Sequence, residues 1–266
     1  MNGAVMESGQ LSGGYVSDSF EAPTSLGVLS RRVLRRDAPG ATVILIHESP
    51  GISDSTFEVA SALAGEGYRL VLPELLDAAW SWKGPVHTIA NVTKLCVARE
   101  LGALALGQTG AIVEWLRALA DEEHAATKRP VAVIGMCFSG GFALGTIRSS
   151  SVSAAVMSQP SLPFVIRIGR SDLGLSKDDL DAITARVGRG DCIRAMRFSR
   201  DRKSPASRLA LIQRTFPAAE CRTVGTNSPK HHSVLGMAVR PGASADLRAA
   251  LAETLDFLRR HLDRAG

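Results

Sequence analysis

The sequence predicts an α/β protein with a mostly parallel central sheet and helices on both faces, and three observations carry that expectation. Short apolar runs of strand character alternate with longer amphipathic helical segments along most of the chain. Two of those runs, "VILI" and "VAVIGM", are apolar throughout, as a strand covered on both faces must be. The 266 residues are 45% hydrophobic and 21% charged, enough to enclose a large core and unlike a chain that stays unfolded.

Residues 1–25 are Gly- and Ser-rich without periodicity and read as an N-terminal tail or a loosely attached segment, such as a first strand; 26–266 read as a single domain. "RRVLRR" alternates charge with apolar residues as an edge strand does. "ATVILIHE", "DSTFEVASALAGEGY" and "RLVLPEL" then form strand, helix and strand, the helix opened at Asp54 and closed by Gly65 or Gly67. Residues 74–107 are too long and irregular for a tight connection and read as a loop with a short helix.

Helix "TGAIVEWLRALADEEHA", central strand "PVAVIGM", helix start "SGGFALGTI" and strand "SVSAAVMSQP" follow. An insertion at about 161–190 carries one helix, "SKDDLDAITARV", capped by Ser176. Strand "CIRAMRFS", helix "SPASRLALIQRTF", a short strand at "CRTVG" and a helix from Ala243 to about Leu262 complete the rhythm.

The net charge of +5 comes from cations spread along the chain, including seven between Arg186 and Lys203, and reads as solvated faces rather than a nucleic-acid surface. Four cysteines without metal-ligand spacing read as free thiols and imply no metal site. No stretch has the length of a membrane span and the start has no leader pattern, so a cytoplasmic protein without a membrane partner is expected. Nothing in the sequence sets an oligomeric state.

Chemistry concentrates where "VAVIGM" ends. Gly135-Met136-Cys137-Phe138-Ser139 has the strand-turn-helix pattern of a nucleophile elbow, the turn that defines α/β-hydrolases. Small flanking residues let strand and helix approach; Gly135 and Gly140 suit this, while Ser139 stands where a glycine is usual. At a helix start Cys137 is favoured as thiolate, and the Phe138 N–H supplies half of an oxyanion hole. A carboxylate and then a histidine must follow in the chain. Asp201 after "CIRAMRFS" and His231 or His232 before the last helix meet that order, whereas Asp191 precedes its strand.

Cys137, Asp201 and His232 together resemble the dienelactone hydrolase family of cysteine-nucleophile α/β-hydrolases, over roughly residues 25–263. The resemblance favours His232, which is followed by Ser233, and Asp201, 31 residues before it. It also implies Glu48, in "ILIHESPGIS", as a carboxylate that restrains the resting thiol, and the Ser49 N–H as the second oxyanion donor. Hydrolysis of a small ester, lactone or thioester through a Cys-His-Asp triad and an acyl-enzyme is the implied activity, with no cofactor.

Arg99 matches the first of two arginines that hold a substrate carboxylate in the family; Gly236 stands at the second. Trp80, Trp82 and Phe164 are candidates to line an apolar pocket, and Ser233 is a further candidate to touch substrate. The competing reading is a catalytically weak or inactive member that acts as a binding or redox-sensing thiol protein.

Overall fold

The computed structural model describes residues 10–11, 13–76, 110–161, 173–190 and 192–263. In chain order the elements are β1 (Gln10–Leu11), β2 (Tyr15–Thr24), β3 (Gly27–Arg36), β4 (Thr42–Ile46), α1 (Asp54–Gly65), β5 (Arg69–Pro73), α2 (Ala111–Thr127), β6 (Val131–Met136), α3 (Gly140–Thr146), β7 (Val152–Ser158), α4 (Lys177–Val187), β8 (Ile193–Phe198), α5 (Ala206–Thr215), β9 (Glu220–Val224), α6 (Val234–Ala238) and α7 (Ala245–Leu262). One sheet of nine described strands runs β1-β2-β3-β5-β4-β6-β7-β8-β9. The pairs from β1 to β5 are antiparallel, and those from β5 through β4 to β9 are parallel.

Alternation along the central strands divides the core in two. Ile44 and Ile46 of β4 and Val131 and Val133 of β6 pack with α2, α3, α4 and α5. Val43, Leu45, Ala132 and Ile134 face the other way, onto α1, α6 and α7. Helices therefore cover both faces, which is why β4 and β6 are buried at every position and almost wholly apolar.

Two sequence expectations are corrected. The strand containing "RRVLRR" is not an edge: β2 covers it along its whole length, from Val16↔Arg35 to Thr24↔Gly27, and β5 pairs on its other side. Two of its arginines are paired, Arg32 with Glu74 just past β5 at 2.8 Å and Arg35 with the buried Glu123 of α2 at 2.7 Å. The boundary at residue 25 falls inside this β2–β3 hairpin, and residues 15–24 are strand. Phe20 and Ala22 enter the core, and the Phe20 carbonyl accepts the indole N–H of Trp115 at 3.2 Å.

The cations between Arg186 and Lys203 are likewise not all solvated. Arg194 and Arg197, both on β8, are buried. The helix of the 161–190 insertion starts as its sequence predicts, with Ser176 Oγ accepting the Asp179 N–H at 3.1 Å. None of the helices among the described residues is long and apolar enough to cross a membrane.

Candidate active site

Register decides where the chemistry gathers. Ile46 pairs with Gly135, Met136 with Ser158, and Ser158 with Met196, so four parallel strands end almost level. The loops beyond them, together with the loop after β9, carry Glu48, Cys137, Gln159, Ser161, Asp201 and His232 in a row across one edge of the sheet. Ligand sites of open α/β sheets form outside these carboxyl ends.

Cys137 opens a 3-10 turn, Cys137–Ser139, with φ 60°, a left-handed conformation that a side-chain-bearing residue adopts only under tertiary constraint. The neighbours explain how the turn closes. A Cβ on Gly135 would lie 2.2 Å from the Ser139 carbonyl oxygen, and one on Gly140 would lie 2.8 Å from Pro160 Cβ, so both must be glycine. Ser139, by contrast, has right-handed dihedrals (φ −82°, ψ −5°) and no need of glycine. Its buried Oγ accepts the Met136 N–H at 2.8 Å, and its single proton has the carbonyls of Met136, His47 and Ile46 within 2.8, 3.1 and 3.3 Å. The departure from glycine thus fastens the elbow to the end of β4.

The acid and base come together. Asp201 Oδ2 lies 2.6 Å from His232 Nδ1, while its Oδ1 accepts the N–H groups of Lys203 at 2.8 Å and Ser204 at 3.3 Å. Arg197 holds this turn from beneath, donating to the carbonyls of Ser204 at 2.6 Å and Asp201 at 3.0 Å. His232 Nε2 is buried and closes no hydrogen bond among the described residues. Burial by itself depresses the imidazole's pKa, but the Asp201 hydrogen bond, the nearness of the Cys137 sulfur and the negative charge of both outweigh it and raise the value to about 9. Such an imidazole is protonated when it sits beside a thiolate. His231 is engaged elsewhere, with Thr226 Oγ1 at 2.7 Å and against the Phe198 ring.

The Cys137 thiol meets a hydroxyl that the sequence reading did not single out: Ser161 Oγ lies 3.1 Å from Sγ, and the Ser161 N–H donates to the Cys137 carbonyl at 3.0 Å. The Glu48 carboxylate makes its hydrogen bond with Gln159 Nε2 at 3.1 Å. Neither Ser161 nor Gln159 carries a local motif; only the adjacency of β7 to β6 brings them here. His47 sets the Glu48 segment. Its Nε2 accepts the Leu75 N–H at 3.0 Å, which leaves Nδ1 as the donor to the Glu48 carbonyl at 2.9 Å. Burial pushes its pKa down to about 4, against that backbone bond, so it is neutral.

The Ser233 hydroxyl is buried and has no hydrogen bond among the described residues. A Cβ on Gly236 would lie 2.5 Å from it and 2.3 Å from Ser55 Oγ, so any side chain at 236 requires both hydroxyls to turn aside. Arg240 lines a separate cavity of about 600 Å³, with Phe198 and His231, to which Cys137 does not contribute. Arg99, Trp80, Trp82, Phe164 and Asp191 lie outside the described residues. Among the described residues no group of His, Cys, Asp and Glu side chains is arranged to hold a metal ion.

A thiol on a strained elbow and a carboxylate–imidazole pair, all at the carboxyl ends of a mostly parallel sheet, define an α/β-hydrolase. The model of the dienelactone hydrolase family matches residues 30–177, more than half of the chain. The chain belongs to that family and is a hydrolase of ester bonds. A search of curated protein sequences finds no match.

Solved structures agree on the fold. A Klebsiella pneumoniae protein described as a dienelactone hydrolase is 16% identical with a TM-score of 0.59, covering 94% of this chain and 99% of its own. The dienelactone hydrolase of Anabaena variabilis is 16% identical with a TM-score of 0.57, covering 92% and 99%. A cold-adapted esterase from an Arctic intertidal metagenomic library is 13% identical with a TM-score of 0.56, covering 97% and 100%.

Proposed function

We propose that this hydrolase cleaves a small carboxylic ester, lactone or thioester through Cys137, with His232 as the proton-transferring base and Asp201 orienting it. The observation that carries this is the 2.6 Å contact between Asp201 and His232 Nδ1, which leaves the buried Nε2 as the one ring nitrogen still open to the Cys137 side.

The Cys137 thiolate attacks the carbonyl carbon, and the carbonyl π pair moves onto oxygen, to which the N–H groups of Phe138 and Ser49 donate hydrogen bonds. Collapse of this tetrahedral species expels the leaving group, which takes the proton from His232 Nε2. Water then attacks the acyl-enzyme as Nε2 removes its proton, and the second collapse returns Sγ and releases the acid. Ser139 supports the geometry by joining the elbow of Phe138 to the β4 end that leads to Ser49. Glu48, one residue from Ser49, contributes a carboxylate near the thiol. The thiols Cys137 and Cys221, outside any disulfide, suit a reducing cytoplasm.

The test is hydrolysis of p-nitrophenyl esters, lactones and acyl thioesters by the wild type beside Cys137→Ala. Loss of turnover by about 10⁴-fold in the variant is expected. Activity that survives the substitution overturns the mechanism; reversible sulfenic acid at Cys137 with no turnover of any substrate favours the redox-sensing thiol instead.

A further inference from the structure

Gln159 is the buried polar side chain most deeply tied into the site without a place in the triad. It follows β7 directly, has no exposed surface and holds φ at 39°, a conformation that a residue with a side chain keeps only when its surroundings over-determine it. Both ends of its amide are used. Nε2 donates to Glu48 Oε2 at 3.1 Å, and Oε1 accepts the Val234 N–H at 3.0 Å together with the Ser158 hydroxyl. Its own N–H donates to the Met196 carbonyl at 2.7 Å.

The orientation of that amide has one solution. Turned over, it would set its oxygen against a carboxylate oxygen and its NH₂ against a backbone N–H, two repulsive contacts in a buried place. Val234 begins α6, two residues after His232, and Glu48 stands two residues beyond β4. One side chain therefore spans the loop that holds the glutamate and the segment that holds the base. The thiol's own hydrogen bond meanwhile goes to Ser161 Oγ, so Glu48 and Cys137 each have a separate partner.

We propose that Gln159 is a positioning residue, whose amide holds the Glu48 carboxylate off the Cys137 thiol and couples its place to that of the His232 segment. The inference rests on Cys137 being the nucleophile. The charged and titratable groups on the loops around that thiol are Glu48 after β4, Asp201 after β8 and His232 after β9, of which His232 interacts with it directly; His47 beside Glu48 is neutral. With the tether cut, the Glu48 charge is free to approach Sγ and oppose the thiolate. Replacing the amide by a carboxylate goes further, since it turns the donor toward Glu48 into a second negative charge.

The experiment is the pH dependence of Cys137 alkylation by iodoacetamide, followed by mass spectrometry on the full chain. Gln159→Ala and Gln159→Glu are compared with wild type. In Gln159→Ala the midpoint moves up by about half a pH unit, and in Gln159→Glu by about a unit. Gln159→Glu keeps the shape of the side chain and an oxygen for the Val234 N–H, so it decides the matter should the alanine variant not fold. Ester turnover in Gln159→Ala falls about tenfold, in kcat rather than KM.

In a Glu48→Gln background the same alanine substitution leaves the alkylation profile where it was, because the effect passes through Glu48. A tether that served stability alone would lower the melting temperature and leave the profile unmoved; that result, or an equal shift in the Glu48→Gln background, overturns the inference. Failure of the underlying nucleophile reading looks different: wild-type Cys137 then reacts no faster than Cys221, and hydrolysis survives Cys137→Ala.

Discussion

The two ends of β8 each hold a charged cluster, and the two are built on opposite principles. Near its start, the buried Arg194 spends every arm of its guanidinium: Nε on Thr254 Oγ1 at 3.2 Å, Nη1 on Glu220 at 2.9 Å and Nη2 on Glu253 at 2.8 Å. Arg222 and Arg260 close the network on the same glutamates. Beyond its end, Arg197 and Asp201 fix a turn just as firmly, yet the chain of bonds stops at His232, whose Nε2 is left buried and unbonded. A guanidinium bonded on every arm, as in Arg194, stabilises the fold; an imidazole with one nitrogen left open keeps a proton-transfer position available, at the expense of a buried polar atom.

The contrast breaks first at the unsaturated end. In Asp201→Asn, Oδ1 still accepts the Lys203 and Ser204 N–H groups, but Nδ1 of His232 loses the carboxylate that sets its tautomer. Turnover of an ester substrate is expected to fall about 10³- to 10⁴-fold. At the saturated end the outcome inverts. Arg194→Met is expected to lower unfolding free energy by about 2–3 kcal/mol in urea titration, with kcat/KM within about twofold of wild type; the cost is at the lower end for a broken ion pair because Glu220 and Glu253 are partly exposed and rehydrate.

Next comes pH. The His232 imidazole is at about 9 in the folded protein against an ordinary 6.5, so the folded state binds the proton more tightly. Its contribution to stability is complete below pH 6.5 and is lost as pH rises through 9. The stability difference between wild type and His232→Asn should therefore shrink between pH 6 and pH 10, read by melting temperature across that range. No difference in the gap would remove the coupling to Asp201 and Cys137. Cys221 offers the thiol counterpart: burial, opposed by Arg194, pushes it up to about 11, so iodoacetamide at neutral pH should label Cys137 and spare Cys221.

The smallest effect is expected at the elbow's extra hydroxyl. Ser139→Ala leaves the Met136 N–H buried without its acceptor and should destabilise by about 1–3 kcal/mol, with a modest fall in kcat as the elbow loosens from β4. Full stability in that variant would mean that Ser139 is tolerated rather than used.

Much of this was readable from the chain alone, for local reasons. Alternation of apolar runs with amphipathic segments is a property of neighbouring residues, and it foretold the helices on both faces and each of the central strands. The strand-turn-helix pattern around Cys137, and a later aspartate and histidine in loops after strands, singled out residues that the fold brings to one edge. What stayed hidden depends on partners distant in sequence. "RRVLRR" looks the same at an edge or beneath β2, and an arginine in a strand looks solvated until Glu220 and Glu253 arrive from β9 and α7 to neutralise Arg194.

Ser139 was the same kind of question. Its sequence position marks only an absent glycine, whereas the pairing of β4 with β6 supplies the carbonyls of Ile46 and His47 that its hydroxyl needs. Gln159 and Ser161 belong to no motif; they reach the thiol and the glutamate because β7 lies against β6 with Ser158 level with Met136. Sequence by itself determined the periodicities, the elbow and the order of the candidate triad, since backbone geometry and side-chain chemistry are local. Strand order, register and the hydrogen-bond partners of buried polar groups were decided only by the tertiary structure, because each is a contact between residues that the chain keeps far apart.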